Sequence, residues 1–158
     1  MRHPSVGGEL NRLTSNMLRS PPWRGTRSGG VGQKRTFEIG SKIKHLPNAS
    51  RARIEREKIV DYLLCAEHPD GSSKARFFQR FGFSIENWFL LADALRQHGL
   101  QNKIVDVVES HYGLCYIVEG QIASPDGRNP QVRTVWIIEK GEFTPRLITA
   151  HPAAWRRT

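Results

Sequence analysis

Long apolar segments are missing from this sequence, and cysteine is scarce. No run of about eighteen apolar residues occurs, which excludes a conventional membrane-spanning helix, and the N-terminus lacks the apolar middle segment of a secretory signal. Its two cysteines, Cys65 and Cys115, lack the paired spacing of a zinc site or a redox motif. We expect them to be small buried hydrophobic residues in a reducing compartment. The sequence therefore indicates a cytoplasmic protein with no membrane contact, no metal site and no cofactor.

Positive charge is concentrated in the first third of the chain. The whole protein has a formal net charge of +9. Residues 1–50 hold nine Lys or Arg against two Glu, which gives +7, and the remaining fifteen Lys or Arg against thirteen acidic residues give +2. Residues 1–40 are rich in Gly, Ser, Pro and Arg and lack an apolar period, which is typical of a disordered segment. This tail is either a basic arm that neutralises nucleic-acid phosphates, or a linker, or the result of a start codon placed upstream of Met17.

The chain length suits one domain. At 158 residues the chain is long enough for one ordinary core and too short for two comfortable ones. We expect a single domain over 41–153, followed by a short tail over 154–158. Residues 36–43 alternate weakly between polar and apolar and predict at most a short strand at the domain's start.

Three helices are predicted in the first half of this domain. Apolar residues at helical spacing predict a first helix that ends before Pro69. A second helix is predicted to begin near Ser72 and to end at Gly82, and a third to run from Ser84 to Gly99. Serine often caps the start of a helix, and glycine often follows its end.

After the third helix the apolar period changes to two. Alternating runs rich in β-branched residues predict four strands, over 103–110, 114–122, 132–139 and 146–151. Short connections with turn-forming residues favour antiparallel neighbours. The predicted fold is therefore α+β, with three N-terminal helices packed on one face of a four-stranded antiparallel β-meander.

Several candidate site residues lie in the stretch "EHPDGSSKARFF", residues 67–78. His68 and Lys74 flank a Pro-Asp-Gly turn that leads into the start of a helix, where free N–H groups favour an anion. Together with Arg76 they form a candidate phosphate site. The alternative is structural: a serine caps the helix, the turn only joins two helices, and the two basic side chains are solvated.

The strands supply a second set of candidates. Arg133 and Thr134 lie in "VRTVW", where a charged residue inside an apolar strand must face solvent or a partner. Arg133 either clamps a phosphate or pairs with a glutamate across the sheet. Arg146 and Thr149 in "PRLITAHP" follow the same logic, although strict alternation puts these two on opposite faces. Tyr116 either stacks on a nucleotide base or belongs to the core.

A set of short motifs resembles a bacterial and phage domain family. Its pattern runs L-P-N-A, K-x-x-x-Y-L-L, H-P-x-G-x-x-K-A-x-F-F, V-R-T-x-W and P-R-L-x-T-A, and residues 46–152 carry these motifs in that order. Members occur alone, in polymorphic toxins and at the C-termini of phage head-morphogenesis proteins, sometimes beside a small partner protein. At His151 this sequence departs from the pattern, which more often has Tyr there.

The helices-then-strands layout is similar to that of the barnase, EndoU, colicin and RelE group of metal-independent ribonucleases. The resemblance implies an RNA-cleaving toxin with His68, Lys74, Arg133 and Thr134 in catalytic roles. RNA and an antitoxin-like or operon protein are then the expected partners. The rival interpretation is a non-catalytic module of phage origin that binds protein or nucleic acid, because the domain itself is nearly neutral.

Overall fold

The computed structural model describes residues 45–69 and 72–153. Within them the fold is α+β, and the helices precede the strands along the chain. After a 3₁₀ turn at Ala49–Arg51 come three helices: α1, which starts as Arg56–Lys58 and continues as a π-helical turn over Ile59–Leu63, α2 (Ser72–Arg80) and α3 (Trp88–Gln101). The strands are β1 (Ile104–Ser110), β2 (Gly113–Gln121), β3 (Gln131–Glu139) and β4 (Arg146–Pro152).

The prediction of a strand over 36–43 falls outside the described residues, as do those for the tails at 1–40 and 154–158. The domain limits therefore remain a prediction. Among the described residues, no helix is both long enough and apolar enough to cross a lipid bilayer.

The end of α2 follows the predicted pattern. Gly82 adopts a φ of +103°, which favours glycine because it lacks a Cβ. The Gly82 N–H donates to the Gln79 carbonyl at 3.0 Å, and the Phe83 N–H donates to the Phe78 carbonyl at 3.2 Å. These two bonds satisfy carbonyls at the end of the helix, and the buried rings of Phe78 and Phe83 pack edge to face with centroids 5.9 Å apart.

The start of α3 differs from the prediction. Ser84 does not cap the helix, which begins at Trp88. The Ser84 hydroxyl oxygen instead accepts the Asn87 N–H at 3.3 Å, so the serine closes a local turn before the helix. Serine favours such turns for the same reason that it favours caps, and the sequence does not distinguish the two.

The four strands form one antiparallel sheet in the order β1-β2-β3-β4, as predicted. Both faces of this sheet carry buried apolar side chains. One face packs with the helices in the main core, to which the strands contribute Val107, Tyr116, Val118, Val132, Trp136, Leu147 and Ala150. The other face carries a smaller buried cluster of Val108, Cys115, Ile117, Val135, Ile137 and Ile148.

A bulge in β4 alters the alternation predicted for that strand. Val135 pairs with Thr149, but the next residue of β3, Trp136, pairs with Leu147. Ile148 is therefore an extra residue in β4 and packs in the smaller cluster. Because directly paired residues share a face, Thr149 lies on the side of Val135, away from the main core. Arg146 and Thr149, which strict alternation separates, consequently lie on the same face.

Thr134 takes part in a buried hydrogen-bond network on the helix side of the sheet. The Trp136 Nε1–H donates to the Thr134 hydroxyl oxygen at 2.9 Å, and that hydroxyl lies 3.2 Å from His98 Nδ1. His98 Nε2 lies 3.0 Å from the Val132 carbonyl and 3.2 Å from the Gly120 carbonyl. A neutral imidazole that donates from Nε2 and accepts at Nδ1 satisfies every contact. His98 therefore links α3 to β2 and β3.

We predict that replacing Thr134 by Val destabilises the fold by about 1–3 kcal/mol, because the Trp136 N–H loses its acceptor and His98 Nδ1 loses its donor. Urea denaturation measures the loss. Thr134→Ser keeps the hydroxyl and serves as the matched control, with a smaller loss expected. A Val variant as stable as the wild type would show that the network contributes nothing.

Candidate active site

The chain that leads into α1 is attached to the outer edge of β4. The Arg53 N–H donates to the Pro145 carbonyl at 2.8 Å, and the Leu147 N–H donates to the Arg53 carbonyl at 3.0 Å. Arg53 thus forms a parallel bridge with Arg146. Because α1 begins three residues later, this pairing holds the helix beside the sheet edge.

Tyr62, in the π-helical turn of α1, is the centre of a group of polar side chains. Its hydroxyl lies 3.1 Å from Thr149 Oγ1 in a buried hydrogen bond. The His68 ring packs edge to face on it, with centroids 4.9 Å apart. Two ammonium groups lie over the Tyr62 ring, Lys58 Nζ at 5.1 Å and Lys74 Nζ at 5.5 Å from its centroid. We call these five residues the Tyr62 cluster.

Three basic side chains of the sheet lie next to this cluster on the side away from the main core. Arg133 pairs directly with His151 across β3 and β4, and Arg146 pairs with Ile137. The Arg133 Nε–H donates to Glu119 Oε2 at 2.6 Å. The Arg146 Nε–H donates to Glu139 Oε2 at 3.1 Å, and its side chain is buried. Arg133, Arg146 and His151 are called the strand group below.

Electrostatics connects the two groups. The pKa of His151 is lowered to about 4, first by burial and then by the positive charges of Arg133 and Lys74. One of these cations belongs to β3 and the other to α2, so the imidazole lies within range of both. The Tyr62 cluster and the strand group are therefore neighbours.

Lys58 is the most strongly perturbed cation of this site. Only 8% of its surface is exposed, and its pKa is lowered to about 7 by burial and by the nearby Arg146, against the opposing effect of Glu55. Burial disfavours a charged amine because water no longer solvates it. At neutral pH a substantial fraction of Lys58 is thus an uncharged amine, whereas an exposed lysine is fully protonated.

The structure brings together most of the residues predicted for the site. His68 and Lys74 lie in the Tyr62 cluster with Thr149, and Arg133 and Arg146 lie in the strand group. Lys58 and Tyr62 were not among the residues predicted for the site. The K-x-x-x-Y spacing of the motif could have indicated that the two side chains lie together, since residues four apart share one face of a helix.

The structure places three other predicted residues elsewhere. Thr134 is fully buried on the helix face of β3, where it bonds to Trp136 and cannot join Arg133. Tyr116 is buried in the main core, which leaves its ring unable to stack on a base. Arg76 is exposed on α2, and its two-residue separation from Lys74 turns it about 200° around the helix.

Within residues 45–69 and 72–153, no group of three His, Cys, Asp or Glu side chains is placed to hold a metal ion.

We predict that acid weakens the fold partly through His151. Its folded-state pKa of about 4 lies below the ordinary value of 6.5, so the unfolded chain binds the proton first as the pH falls. The contribution of His151 to the free energy of unfolding, on the order of 2–3 kcal/mol, is fully present above about pH 6.5 and is lost as the pH falls toward 4. Urea denaturation of the wild type and of His151→Gln, at about pH 7 and pH 4.5, measures it.

The glutamine variant cannot titrate and should lose less stability between the two pH values. The pKa of His98 is also lowered by burial and acts in the same direction, but it is present in both proteins and cancels in the comparison. Equal losses in the two proteins would contradict the assignment to His151.

Comparison with known proteins finds a family and similar solved structures, one of which is described here. A chain of the contact-dependent growth inhibition toxin–immunity protein complex from Klebsiella pneumoniae 342 is similar in fold, with a TM-score of 0.52 and 22% sequence identity over 63% of this chain and 97% of that one. No curated protein matches. Residues 45–154 match the model of a domain of unknown function, DUF6883. Because this match spans the helices, the sheet and the whole site, the chain belongs to the DUF6883 family.

Proposed function

We propose that this domain is a toxin-type endoribonuclease that cleaves RNA without a metal ion. The observation that carries the proposal is the convergence of the Tyr62 cluster and the strand group, which come from α1, α2, β3 and β4. Cations and hydroxyls from four elements meet there, around a tyrosine whose ring also belongs to the main core. They suit a phosphodiester, whose charge increases in the transition state.

The proposed reaction is attack by the 2′-oxygen on the neighbouring phosphorus. A base removes the proton of the 2′-hydroxyl, the new O–P bond closes a 2′,3′-cyclic phosphate, and the bond to the 5′-oxygen breaks. An acid then supplies a proton to the departing 5′-oxygen. All atoms and charges balance without an additional reactant.

Side chains of the site fit the parts of this reaction. In this proposal Lys74 and Arg133, the latter ion-paired with Glu119, stabilise the negative charge on the phosphate, and both act on the same imidazole of His151. His68 packs on Tyr62 and is partly exposed, which suits the acid that protonates the leaving oxygen. The hydrogen bond between Tyr62 and Thr149 holds the helix side and the sheet side of the site together.

A small partner protein belongs to the same proposal. The structural relative comes from a complex of a toxin with its immunity protein. A ribonuclease that acts on cellular RNA needs an inhibitor in the cell that makes it. We propose that such a protein binds over the site, where an acidic surface would complement Lys74 and Arg133.

Purified full-length protein is predicted to cleave a mixed-sequence oligoribonucleotide in the presence of a chelator and to leave its 2′-O-methyl counterpart intact, because methylation removes the attacking hydroxyl. Lys74→Ala and Arg133→Ala should each lower the rate by roughly 10²–10³-fold, since each removes a cation that stabilises the transition state. Gel electrophoresis of end-labelled RNA measures both effects.

Lys140→Ala is the matched control, because Lys140 is an exposed lysine in the turn after β3 and lies outside the site. Expression in growing cells provides a second test, in which the wild type slows growth and the two site variants do not. Intact RNA with the wild-type protein would reject the nuclease and favour a binding module. Cleavage that stops with the chelator would reject the metal-independent mechanism.

A further inference from the structure

Lys58 occupies an unusual position in α1. It is the last residue of the α-helical part, and the π-helical turn that follows it contains Tyr62. Such turns are rare and are found frequently at functional sites. The Lys58 side chain is directed along the helix to the Tyr62 ring, whose hydroxyl contacts Thr149 on the sheet. The helix therefore places the Lys58 amine beside the tyrosine that contacts β4.

The charged groups around Lys58 come from several elements. Arg146 on β4 disfavours its protonated form, and Glu55, just before α1, favours it. Lys74 on α2 lies over the same Tyr62 ring. Arg96 on α3 donates hydrogen bonds to the Ala52 carbonyl and to the Asp93 carboxylate.

No ion pair between described residues includes Lys58. The Glu139 carboxylate, at the end of β3, pairs with Arg146. A buried ammonium without a carboxylate partner is costly, and loss of its proton relieves that cost. An amine that readily exists in the neutral form is a proton acceptor.

We propose that Lys58 is the general base of the site and accepts the proton of the attacking 2′-hydroxyl. This role rests on the proposed ribonuclease function and deepens it. The neutral amine takes the proton and becomes an ammonium, while the 2′-oxygen forms its bond to phosphorus and the 5′-oxygen departs with a proton from the acid. Lys74 and Arg133 bind the phosphate. Of the two lysines over the Tyr62 ring, Lys58 therefore accepts the proton and Lys74 binds the phosphate.

The first test measures the amine itself and needs no RNA. Competitive acetylation of the full-length protein, from about pH 5 to about pH 11, followed by mass spectrometry, gives the midpoint of reactivity for each lysine. Lys58 is expected to reach half its maximal reactivity near pH 7, about three pH units below the ordinary value for lysine, and exposed Lys140 in the same sample serves as the internal reference. A midpoint for Lys58 near that of Lys140 would overturn the proposal.

The second test uses cleavage of the oligoribonucleotide as a function of pH. The wild-type rate should rise through about pH 7 as Lys58 loses its proton. Lys58→Arg keeps the positive charge, but arginine does not release its proton and so cannot act as a base. The rate of this variant should fall by roughly 10²–10⁴-fold, and its pH profile should lack the rise near pH 7. Lys140→Arg, the matched control, should retain the wild-type rate and profile.

The outcomes separate this role from the function on which it rests. A wild type that cleaves RNA, with an equally active Lys58→Arg variant, overturns the role of Lys58 and leaves the ribonuclease standing. A wild type that leaves RNA intact overturns both. If Lys58→Arg fails to fold, as judged by circular dichroism, Lys58→Met replaces it, because methionine fills the same buried space without charge.

Discussion

The candidate site depends on one short backbone pairing, the bridge between Arg53 and the edge of β4. Two hydrogen bonds attach the chain there just before α1 begins, so the helix has no freedom to drift along the sheet. Everything that α1 contributes, Lys58 and Tyr62 above all, is positioned by that attachment. The pairing also covers an edge strand, whose unpaired groups would otherwise be available to other chains. One local interaction therefore both pairs the first residues of the edge strand and holds the start of α1 beside them.

The bulge at Ile148 is the sheet's counterpart to the π-helical turn of α1. An additional residue in β4 turns Thr149 toward the side of Arg146 and His151, and the wider turn in α1 carries Tyr62 to meet it. Each irregularity weakens the regular hydrogen bonding of its own element. These two departures from regular geometry meet at one hydrogen bond among the polar side chains, whereas a third, in β1 between Ile104 and Asp106, lies at the opposite edge of the sheet.

Sequence reasoning recovered the parts of this fold that depend on periodicity. The four strands, their antiparallel order and the end of α2 at Gly82 follow from alternation and from glycine's conformational freedom. The start of α3 and the bulge in β4 could not be predicted, because they depend on which of several local hydrogen bonds wins in the folded chain. For the candidate site, Lys74 was predicted from its place beside a turn at the start of a helix, and Arg133 from its charge within an apolar strand. Lys58 was not singled out, since a lysine in the charged run "EREK", residues 55–58, reads as solvated until its burial is known.

Arg133 and Thr134 are neighbours in the chain but belong to opposite faces of β3. One side chain meets the polar site, and the other belongs to a network that joins α3 to the sheet. Evolution can consequently alter the chemistry of this strand without disturbing its packing, residue by residue. For an experimenter, a substitution at Arg133 alters the polar face while the contacts that hold α3 to the sheet stay in place.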